Sequence, residues 1–271
     1  MSCKAITDTK NFRLSPLNNK LFRIFAPMKQ AMLLAAGLGT RLRPLTSTMP
    51  KALVPVAGRP LLYHVIQRLQ AAGFQRIVVN IHHFGQQIID YLESNHNFGM
   101  DIRISDERDL LLETGGALKH AAHLFEPEYP ILIHNVDILS NVDLQKMWQQ
   151  ATPRTSVLLV SDRQTKRYLL FDEQRKLAGW TNVETGDVKS PYEHFDPQQC
   201  QRLAFDGIHL FSPALFPLME SWPEKFSIID FYLQACARFP ILAWEQEGLQ
   251  MMDVGKTDTL AEAEQFLTTL S

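Results

Sequence analysis

The 271-residue chain contains only three cysteines, and they lie far apart in the sequence. Cys3, Cys200 and Cys236 form no Cys-x-x-Cys pair and no Cys/His spacing of the kind that holds zinc. An odd number of scattered cysteines is typical of reduced thiols in the cytosol. We therefore expect neither a zinc site nor a secreted protein.

The sequence also has little excess charge and no long apolar run. Its 27 basic and 29 acidic side chains give a formal net charge of -2, so a basic surface for a nucleic-acid backbone is not expected. No apolar run reaches the roughly 20 residues needed to cross a bilayer. Residues 1–27 are basic but lack the apolar core of a signal peptide. We expect a cytoplasmic protein that binds neither nucleic acid nor membrane, with residues 1–27 as a disordered extension.

Patterned sequence begins at Met28 and alternates between strand-like and helix-like segments. An apolar run at residues 31–36, a β-branched run at 76–81 and another apolar run at 131–136 are typical of buried strands. Helical spacing of apolar residues separates these runs. Strands that alternate with helices predict a Rossmann-like α/β fold, with a mostly parallel sheet flanked by helices.

The pattern changes in the second half of the chain. Between residues 155 and 211, short strand-like runs follow one another with turns between them, which predicts a smaller antiparallel extension. Helical patterning returns near the end, at residues 257–269. Without internal repeats or a long linker, residues 28–271 are expected to form one domain with two lobes.

The most informative segment follows the first predicted strand. It reads Ala35-Ala36-Gly37-Leu38-Gly39-Thr40-Arg41-Leu42-Arg43-Pro44-Leu45-Thr46, and Pro50-Lys51-Ala52-Leu53-Val54-Pro55-Val56 comes soon after it. Glycines at the carboxyl end of a parallel strand let backbone N–H groups approach phosphate oxygens, and Arg41 and Lys51 can add positive charge. No third glycine follows Gly39 at dinucleotide-binding spacing, and the segment is not a P-loop. It therefore predicts a phosphate site of another kind.

This stretch resembles the signature of the sugar-1-phosphate nucleotidyltransferases. The resemblance continues through Gly58-Arg59-Pro60-Leu61, Leu112-Glu113-Thr114-Gly115-Gly116-Ala117-Leu118, Phe205-Asp206-Gly207-Ile208 and Met252-Asp253-Val254-Gly255. It implies an enzyme that joins a nucleoside triphosphate to a sugar 1-phosphate and releases pyrophosphate, in the synthesis of cell-wall or polysaccharide precursors. Among short members, the chain looks most similar to uridylyltransferases acting on N-acetylmuramic acid 1-phosphate and to mannose-1-phosphate guanylyltransferases.

The resemblance implies a role for each matching residue on the nucleotide side. The triphosphate would contact four residues of the glycine segment: Ala36, Gly37, Gly39 and Thr40. Arg41 and Lys51 would offset phosphate charge during transfer, and no general base is needed because the attacking phosphate is already an anion. Gly115 and Gly116 begin a predicted helix and would offer unhindered backbone donors near the nucleotide. The resemblance places this segment against the nucleobase, and Glu107 is the candidate for reading the edge of the base.

The resemblance also implies metal and sugar sites. Asp137, directly after the predicted strand at 131–136, and Asp253 fall at the family's magnesium-binding positions, and Mg²⁺ prefers such oxygen ligands. Both acids are therefore catalytic candidates together with Arg41 and Lys51. The sugar would contact Asn182, Asp206 and Gly207.

Departures from the family pattern keep other readings open. Val136 stands where relatives often have glycine, Met251-Met252 replaces a frequent tryptophan, and no Glu-Lys-Pro motif is present. A cytidylyltransferase for a phospho-alcohol such as phosphocholine would share the glycine segment and the two acids. A regulator that binds nucleotide sugars without turnover is a further alternative.

Overall fold

The computed structural model describes residues 28–256 and 259–269. The extension expected at residues 1–27 lies outside this range, as do four residues of the 28–271 domain. No helix in the described ranges has the length and apolarity needed to cross a membrane.

Fourteen strands occur in the described ranges. They are β1 (Gln30–Leu34), β2 (Pro55–Val56), β3 (Arg59–Pro60), β4 (Arg76–Ile81), β5 (Asp101–Asp106), β6 (Ile131–Asn135), β7 (Ile138–Ser140), β8 (Ser156–Ser161), β9 (Arg167–Phe171), β10 (Leu177–Asn182), β11 (Val188–Lys189), β12 (Gln201–Phe211), β13 (Ile241–Trp244) and β14 (Met251–Asp253). The α-helices are α1 (Leu61–Ala71), α2 (Gly85–Ser94), α3 (Glu113–Ala121), α4 (Leu144–Trp148), α5 (Phe216–Met219), α6 (Ile228–Ala235) and α7 (Thr259–Thr269).

Ten of these strands form one sheet, whose main path runs β11-β10-β9-β12-β6-β1-β4-β5. The neighbours from β6 to β5 are parallel, and β12 joins this half to the antiparallel extension. Strand β8 pairs with β12 and with β13. The predicted fold, a mostly parallel central sheet flanked by helices with an antiparallel extension, is confirmed.

The central sheet is covered on both faces because its strands are apolar on both sides. Ala31 and Leu33 of β1 pack in one buried cluster with α1 and α2, whereas Met32 packs in another with α3 and α6. This alternation is the period of two that a strand imposes on its side chains. Helix α1 forms because its apolar residues recur at helical spacing, and they bury one stripe of the helix that includes Leu62, Val65 and Leu69.

The strand register aligns the carboxyl ends of β1, β4 and β6 with one another. Leu34 at the end of β1 lies opposite Asn80 of β4 and Asn135 of β6. The chain segments that leave these strands therefore meet at one edge of the sheet, which is where ligands bind in open α/β sheets. The two-stranded sheet of β7 and β14, which the sequence did not predict, lies beside this edge because β7 begins directly after Asp137.

Candidate active site

A cleft of about 560 Å³ opens at the carboxyl ends of β1, β4 and β6. We call it the main cleft. Its lining includes most of the residues predicted for the nucleotide side, namely Ala36, Gly37, Gly39, Thr40, Arg41, Lys51, Glu107 and Asp137. Residues that are scattered over about a hundred positions of sequence thus face one space.

Hydrogen bonds with the side chains of Asn80 and Thr46 hold the glycine segment in place. The N–H groups of Ala35 and Ala36 donate to Asn80 Oδ1 at 2.6 and 3.3 Å, and the Thr46 hydroxyl donates to the Gly39 carbonyl at 2.7 Å. Gly39 adopts a φ of 60°, and a Cβ there would come within 2.8 Å of Thr46 Cγ2. Position 39 therefore requires glycine for both its backbone angle and its close packing.

The same segment leaves backbone donors available. Among the described residues, the N–H groups of Gly37, Leu38 and Gly39 have no protein acceptor. Successive unbonded N–H groups at the end of a parallel strand form a concavity that suits an anion. The segment is thus built to bind phosphate oxygens through its backbone.

Lys51 and Asp137 form an ion pair across the main cleft. Lys51 begins a short 3₁₀ turn after Pro50, and its side chain is almost completely buried. Burial of an ammonium group is costly unless it is paired, and Asp137 provides that partner. The contact brings one predicted phosphate-binding cation directly to one predicted metal ligand.

Asp253 is placed beside Asp137 by the two-stranded sheet. It lies opposite Ile138 in the β14–β7 register, and the next residue, Val254, donates its N–H to the Asp137 carbonyl at 2.9 Å. Desolvation raises the pKa of Asp253, and the charge of Asp137 raises it further, while Lys51, Arg41 and Arg163 act in the opposite direction. Two carboxylates and several cations therefore share one electrostatic neighbourhood.

Gly255 allows Arg41 to approach this acid. A Cβ at position 255 would lie 2.7 Å from Asp253 Oδ1 and 2.8 Å from Arg41 Nη2. Asp253 itself lines an adjoining cavity of about 670 Å³, which shares Arg41 and Gly255 with the main cleft. The four predicted catalytic residues, Arg41, Lys51, Asp137 and Asp253, are thus brought together at the junction of the two spaces.

The donor set suits a hard divalent cation. Nowhere in the described ranges do three or more His, Cys, Asp or Glu side chains form a group that could hold a metal. The two carboxylates of Asp137 and Asp253 would therefore share the ion with substrate phosphates and water, which is the usual arrangement for Mg²⁺ in phosphoryl-transfer sites. The two carboxylates fit such an ion, and the phosphates of a bound nucleotide would supply further ligands.

Glu107 lines the main cleft but is engaged by the protein. Its Oε1 accepts from Asn80 Nδ2 at 2.9 Å, its Oε2 accepts from the Leu112 N–H at 3.4 Å, and desolvation raises the pKa of its carboxyl group. Through Asn80 it supports the backbone of Ala35 and Ala36. Sequence reasoning missed Asn80, whose signal is a lone amide near the end of a β-branched strand. Reading of a base edge by Glu107 stays a prediction.

Gly115 and Gly116 do not offer their backbone to the main cleft. Both N–H groups donate to the Phe226 carbonyl, at 2.9 and 3.2 Å. A Cβ would come within 2.4 Å of the Phe226 ring at position 115 and 2.0 Å of the Glu224 carbonyl oxygen at position 116. These glycines let the segment around Phe226 pack against α3, which corrects the expectation of free donors for a nucleotide. Two residues just before them, Glu113 and Thr114, line the cleft instead.

The predicted sugar-side residues divide into three positions. Asn182 lines a third space of about 590 Å³, the extension cavity, together with Trp180. This cavity and the main cleft share Ser227. Gly207 has a φ of 76° at an irregularity of β12, and a Cβ there would lie 2.7 Å from Asn135 Nδ2. Gly207 thus lets β12 approach a residue that lines the main cleft.

Asp206 does not face any of these spaces. Its side chain is fully buried, and its Oδ1 accepts from Arg163 Nε at 2.7 Å. Direct contact between this carboxylate and a sugar is therefore ruled out in the observed arrangement, because the carboxylate lies behind Arg163. Sequence reasoning missed Arg163, which follows β8 in a segment without a recognisable motif and lies 43 positions from its partner.

A glycine segment with open backbone donors, two cations and two carboxylates at the edge of a parallel sheet defines a nucleotide-binding phosphate-transfer protein. Residues 30–269 match the model of the family described as Nucleotidyl transferase. The chain is 34% identical over 236 residues to the N-acetylmuramate alpha-1-phosphate uridylyltransferase of Caulobacter vibrioides, covering 82% of this chain and 90% of that protein. The chain belongs to the nucleotidyl transferase family.

More distant relatives agree on the fold. The mannose-1-phosphate guanyltransferase of Yarrowia lipolytica is 25% identical over 248 residues, which cover 89% of this chain and 65% of that protein. The solved structure of the inositol-1-phosphate CTP transferase from T. maritima matches with a TM-score of 0.72 at 16% identity, covering 90% of this chain and 96% of that one. At this identity, the structural likeness shows a shared fold alone.

Proposed function

We propose that the protein transfers a nucleotidyl group from a nucleoside triphosphate to a sugar 1-phosphate, giving a nucleotide sugar and pyrophosphate. One observation carries the proposal: the open backbone donors of the glycine segment face the cluster of Arg41, Lys51, Asp137 and Asp253. Family membership and the names of the relatives above support it. Their acceptors are phosphate esters at the anomeric carbon of a sugar.

The chemistry requires alignment and charge compensation. An oxygen of the sugar phosphate attacks the α-phosphorus, the bond from that phosphorus to the bridging oxygen of the β-phosphate breaks, and pyrophosphate leaves with the electron pair. The nucleophile is already anionic at neutral pH, so no side chain has to remove a proton. Arg41 and Lys51 stabilise the charge on the phosphates, and the N–H groups of the glycine segment fix the triphosphate in line for attack.

We propose Mg²⁺ as the cofactor, held by Asp137 and Asp253. A bound Mg²⁺ would neutralise phosphate charge and polarise the α-phosphate. Because Lys51 is paired with Asp137, binding of a nucleotide and an ion would require the two groups to exchange partners. Lys51 would turn to a phosphate oxygen, and Asp137 would be available to hold the ion.

For the particular reaction, we propose UTP and N-acetylmuramate α-1-phosphate as substrates. The 34% identity to the Caulobacter vibrioides uridylyltransferase over nine-tenths of that protein supports this pair over guanylyl transfer to mannose 1-phosphate. Such a reaction uses cytoplasmic nucleotide pools, so we also propose a cytoplasmic location. We further propose that residues 28–271 form the catalytic domain.

The test is a matrix of pyrophosphate-release assays with Mg²⁺ and purified full-length protein. Each of UTP, GTP, CTP, ATP and dTTP is combined with N-acetylmuramate 1-phosphate, mannose 1-phosphate, glucose 1-phosphate and phosphocholine, and products are identified by mass. We expect the highest kcat/KM for UTP with N-acetylmuramate 1-phosphate. Preferential turnover of CTP with phosphocholine would replace the proposal with the phospho-alcohol reaction. Tight binding of a nucleotide sugar without pyrophosphate release from any pair would indicate a regulator.

A further inference from the structure

Arg163 combines a rigid attachment with an open face. Its Nε donates to Asp206 Oδ1 at 2.7 Å and its Nη2 donates to the Phe205 carbonyl at 2.8 Å. Among hydrogen bonds between described residues, these use two of the five N–H groups of the guanidinium. The side chain remains 42% exposed. Its orientation is therefore fixed from one side, while the remaining donors face solvent.

The supporting carboxylate is placed at considerable cost. Asp206 lies at the irregularity of β12, with its side chain at 0% exposure, and desolvation raises the pKa of its carboxyl group while Arg163 lowers it. A buried carboxylate is tolerated when a cation and hydrogen bonds compensate it. Arg163 is the only cation that forms an ion pair with it among the described residues. Buried ion pairs typically add little to stability compared with an apolar replacement, so stability alone does not account for this pair.

The open face of Arg163 lies between two spaces. It lines the adjoining cavity with Arg41 and Asp253, and it lines the extension cavity with Asn182 and Trp180. A group bound between the two cavities would have one end at the reacting centre and the other end in the extension.

The charge of the adjoining cavity selects an anion. Among the residues that the structure describes, its lining carries four cations, Arg41, Arg163, Lys166 and Lys256, against the single acid Asp253. Lys166 is paired with Glu184 at 2.6 Å, whereas Arg163 is the cation fixed by a buried acid. A planar guanidinium with adjacent free N–H groups matches the oxygens of a phosphate monoester.

We propose that Arg163 binds the phosphate of the sugar 1-phosphate acceptor and that Asp206 is its positioning residue. The assignment rests on the proposed function and adds to it a residue that selects a dianionic acceptor. The triphosphate is held by the backbone of the glycine segment in the main cleft, whose lining does not include Arg163. Arg163 therefore offsets repulsion between the two phosphates as the attacking oxygen approaches the α-phosphorus.

Steady-state kinetics of pyrophosphate release test the proposal, with the KM of each substrate measured separately. We expect Arg163→Gln to raise the KM of the acceptor about 10- to 100-fold, through loss of charge-assisted hydrogen bonds, and to leave the KM of the triphosphate within about twofold. Arg163→Lys, which keeps the charge and loses the fork, should lie between the wild type and Arg163→Gln. Arg103→Gln is the matched control, because Arg103 also binds one carboxylate and one carbonyl, is 37% exposed and lies on β5.

The positioning role requires a second pair of variants. Asp206→Asn should raise the KM of the acceptor about 3- to 10-fold as the guanidinium loses its orientation, but it should add nothing in the Arg163→Gln background. The double variant contains no unpaired buried charge, so it also measures the loss of Arg163 if Arg163→Gln alone is unstable.

The outcomes separate the two proposals. Suppose that the wild type is active but Arg163→Gln leaves the KM of the acceptor unchanged, or raises the KM of both substrates equally. This result would overturn the role of Arg163 and leave the proposed function intact. A wild type that releases no pyrophosphate with any substrate pair would overturn the proposed function and the role of Arg163 with it. Additive effects of Asp206→Asn and Arg163→Gln would remove the positioning role.

Discussion

The two halves of the molecule hold their proposed substrates by different means. On the parallel side, the glycine segment presents backbone N–H groups, and one contiguous stretch from Ala35 to Lys51 supplies these donors together with the cations Arg41 and Lys51 that line the main cleft. On the antiparallel side, side chains from separate strands line the extension cavity, and their positions depend on long-range pairs such as Arg163 with Asp206. A backbone site binds any polyphosphate, whereas a side-chain site can be altered one residue at a time. Acceptor specificity is thus the more changeable property of this fold.

We expect the largest loss of activity from a substitution of Asp253, which lies where the two halves meet. Asp253→Asn should lower kcat roughly 100- to 1,000-fold through loss of a charge that stabilises the transition state, with both KM values changed much less. The thermal midpoint should not fall, because the replaced carboxylate has a pKa raised by burial and by Asp137. Pyrophosphate release and thermal unfolding measure the two effects, with the exposed Asp90→Asn on α2 as control. Near-normal turnover would remove Asp253 from the mechanism.

A second test addresses β12, the strand that both halves share. His209 is fully buried, no hydrogen bond among the described residues uses its ring nitrogens, and burial lowers its pKa to about 3 from 6.5. Below pH 6.5 the unfolded chain binds a proton that the folded chain does not, so this residue reduces stability as the pH falls. We therefore compare the free energy of unfolding of His209→Leu with that of the wild type at each pH. The difference should favour the variant by about 2 kcal/mol more at pH 5 than at pH 8. Urea unfolding at the two pH values measures this, and an equal difference at both would contradict the buried, neutral histidine.

Gly39→Ala should affect the parallel half alone. The new Cβ would meet Thr46 Cγ2 at 2.8 Å and would displace the backbone that faces the phosphates. We expect the KM of the triphosphate to rise about 10-fold and that of the acceptor to change little, since left-handed backbone costs a non-glycine residue about 1–2 kcal/mol and the crowding adds to this. Gly186→Ala is the control, because Gly186 also has a positive φ but has no atom within 4 Å of a new Cβ. If both variants change the KM of the triphosphate equally, position 39 has no special role.

Asn182→Ala is the reciprocal and smallest perturbation. The amide lines the extension cavity, so its loss should raise the KM of the acceptor about 2- to 10-fold, the value of one neutral hydrogen bond, without changing the KM of the triphosphate. Thr185→Ala, in the turn that follows β10, is the matched control. A shift in the KM of the triphosphate would show that the two halves are coupled.

The sequence predicts the parallel half better than the extension for a physical reason. The glycine segment functions through local backbone geometry, so its residues are neighbours in sequence and its motif is visible. The same holds for β4, whose β-branched run at residues 76–81 gives the observed limits. The β7–β14 pair, the Asn80–Glu107 support and the Arg163–Asp206 pair all join distant residues through tertiary contacts, which leave no local pattern.

Gly115 and Gly116 show that a visible local motif can also be misinterpreted. Adjacent glycines at the start of a helix favour an anion site when judged locally, but here each one makes room for another segment of the chain. The same sequence signal serves close packing and ligand approach, and only the neighbouring backbone at Phe226 distinguishes them.

The ribbon of β7 and β14 has a consequence for the energetics of the first catalytic step. Its register and the bond from Val254 to the Asp137 carbonyl fix the backbones of two carboxylates that are far apart in the chain. Their spacing is set during folding, so little conformational entropy remains to be lost at this point when the substrates arrive. The two carboxylates that are proposed to hold Mg²⁺ are thus held at a set spacing by the fold itself.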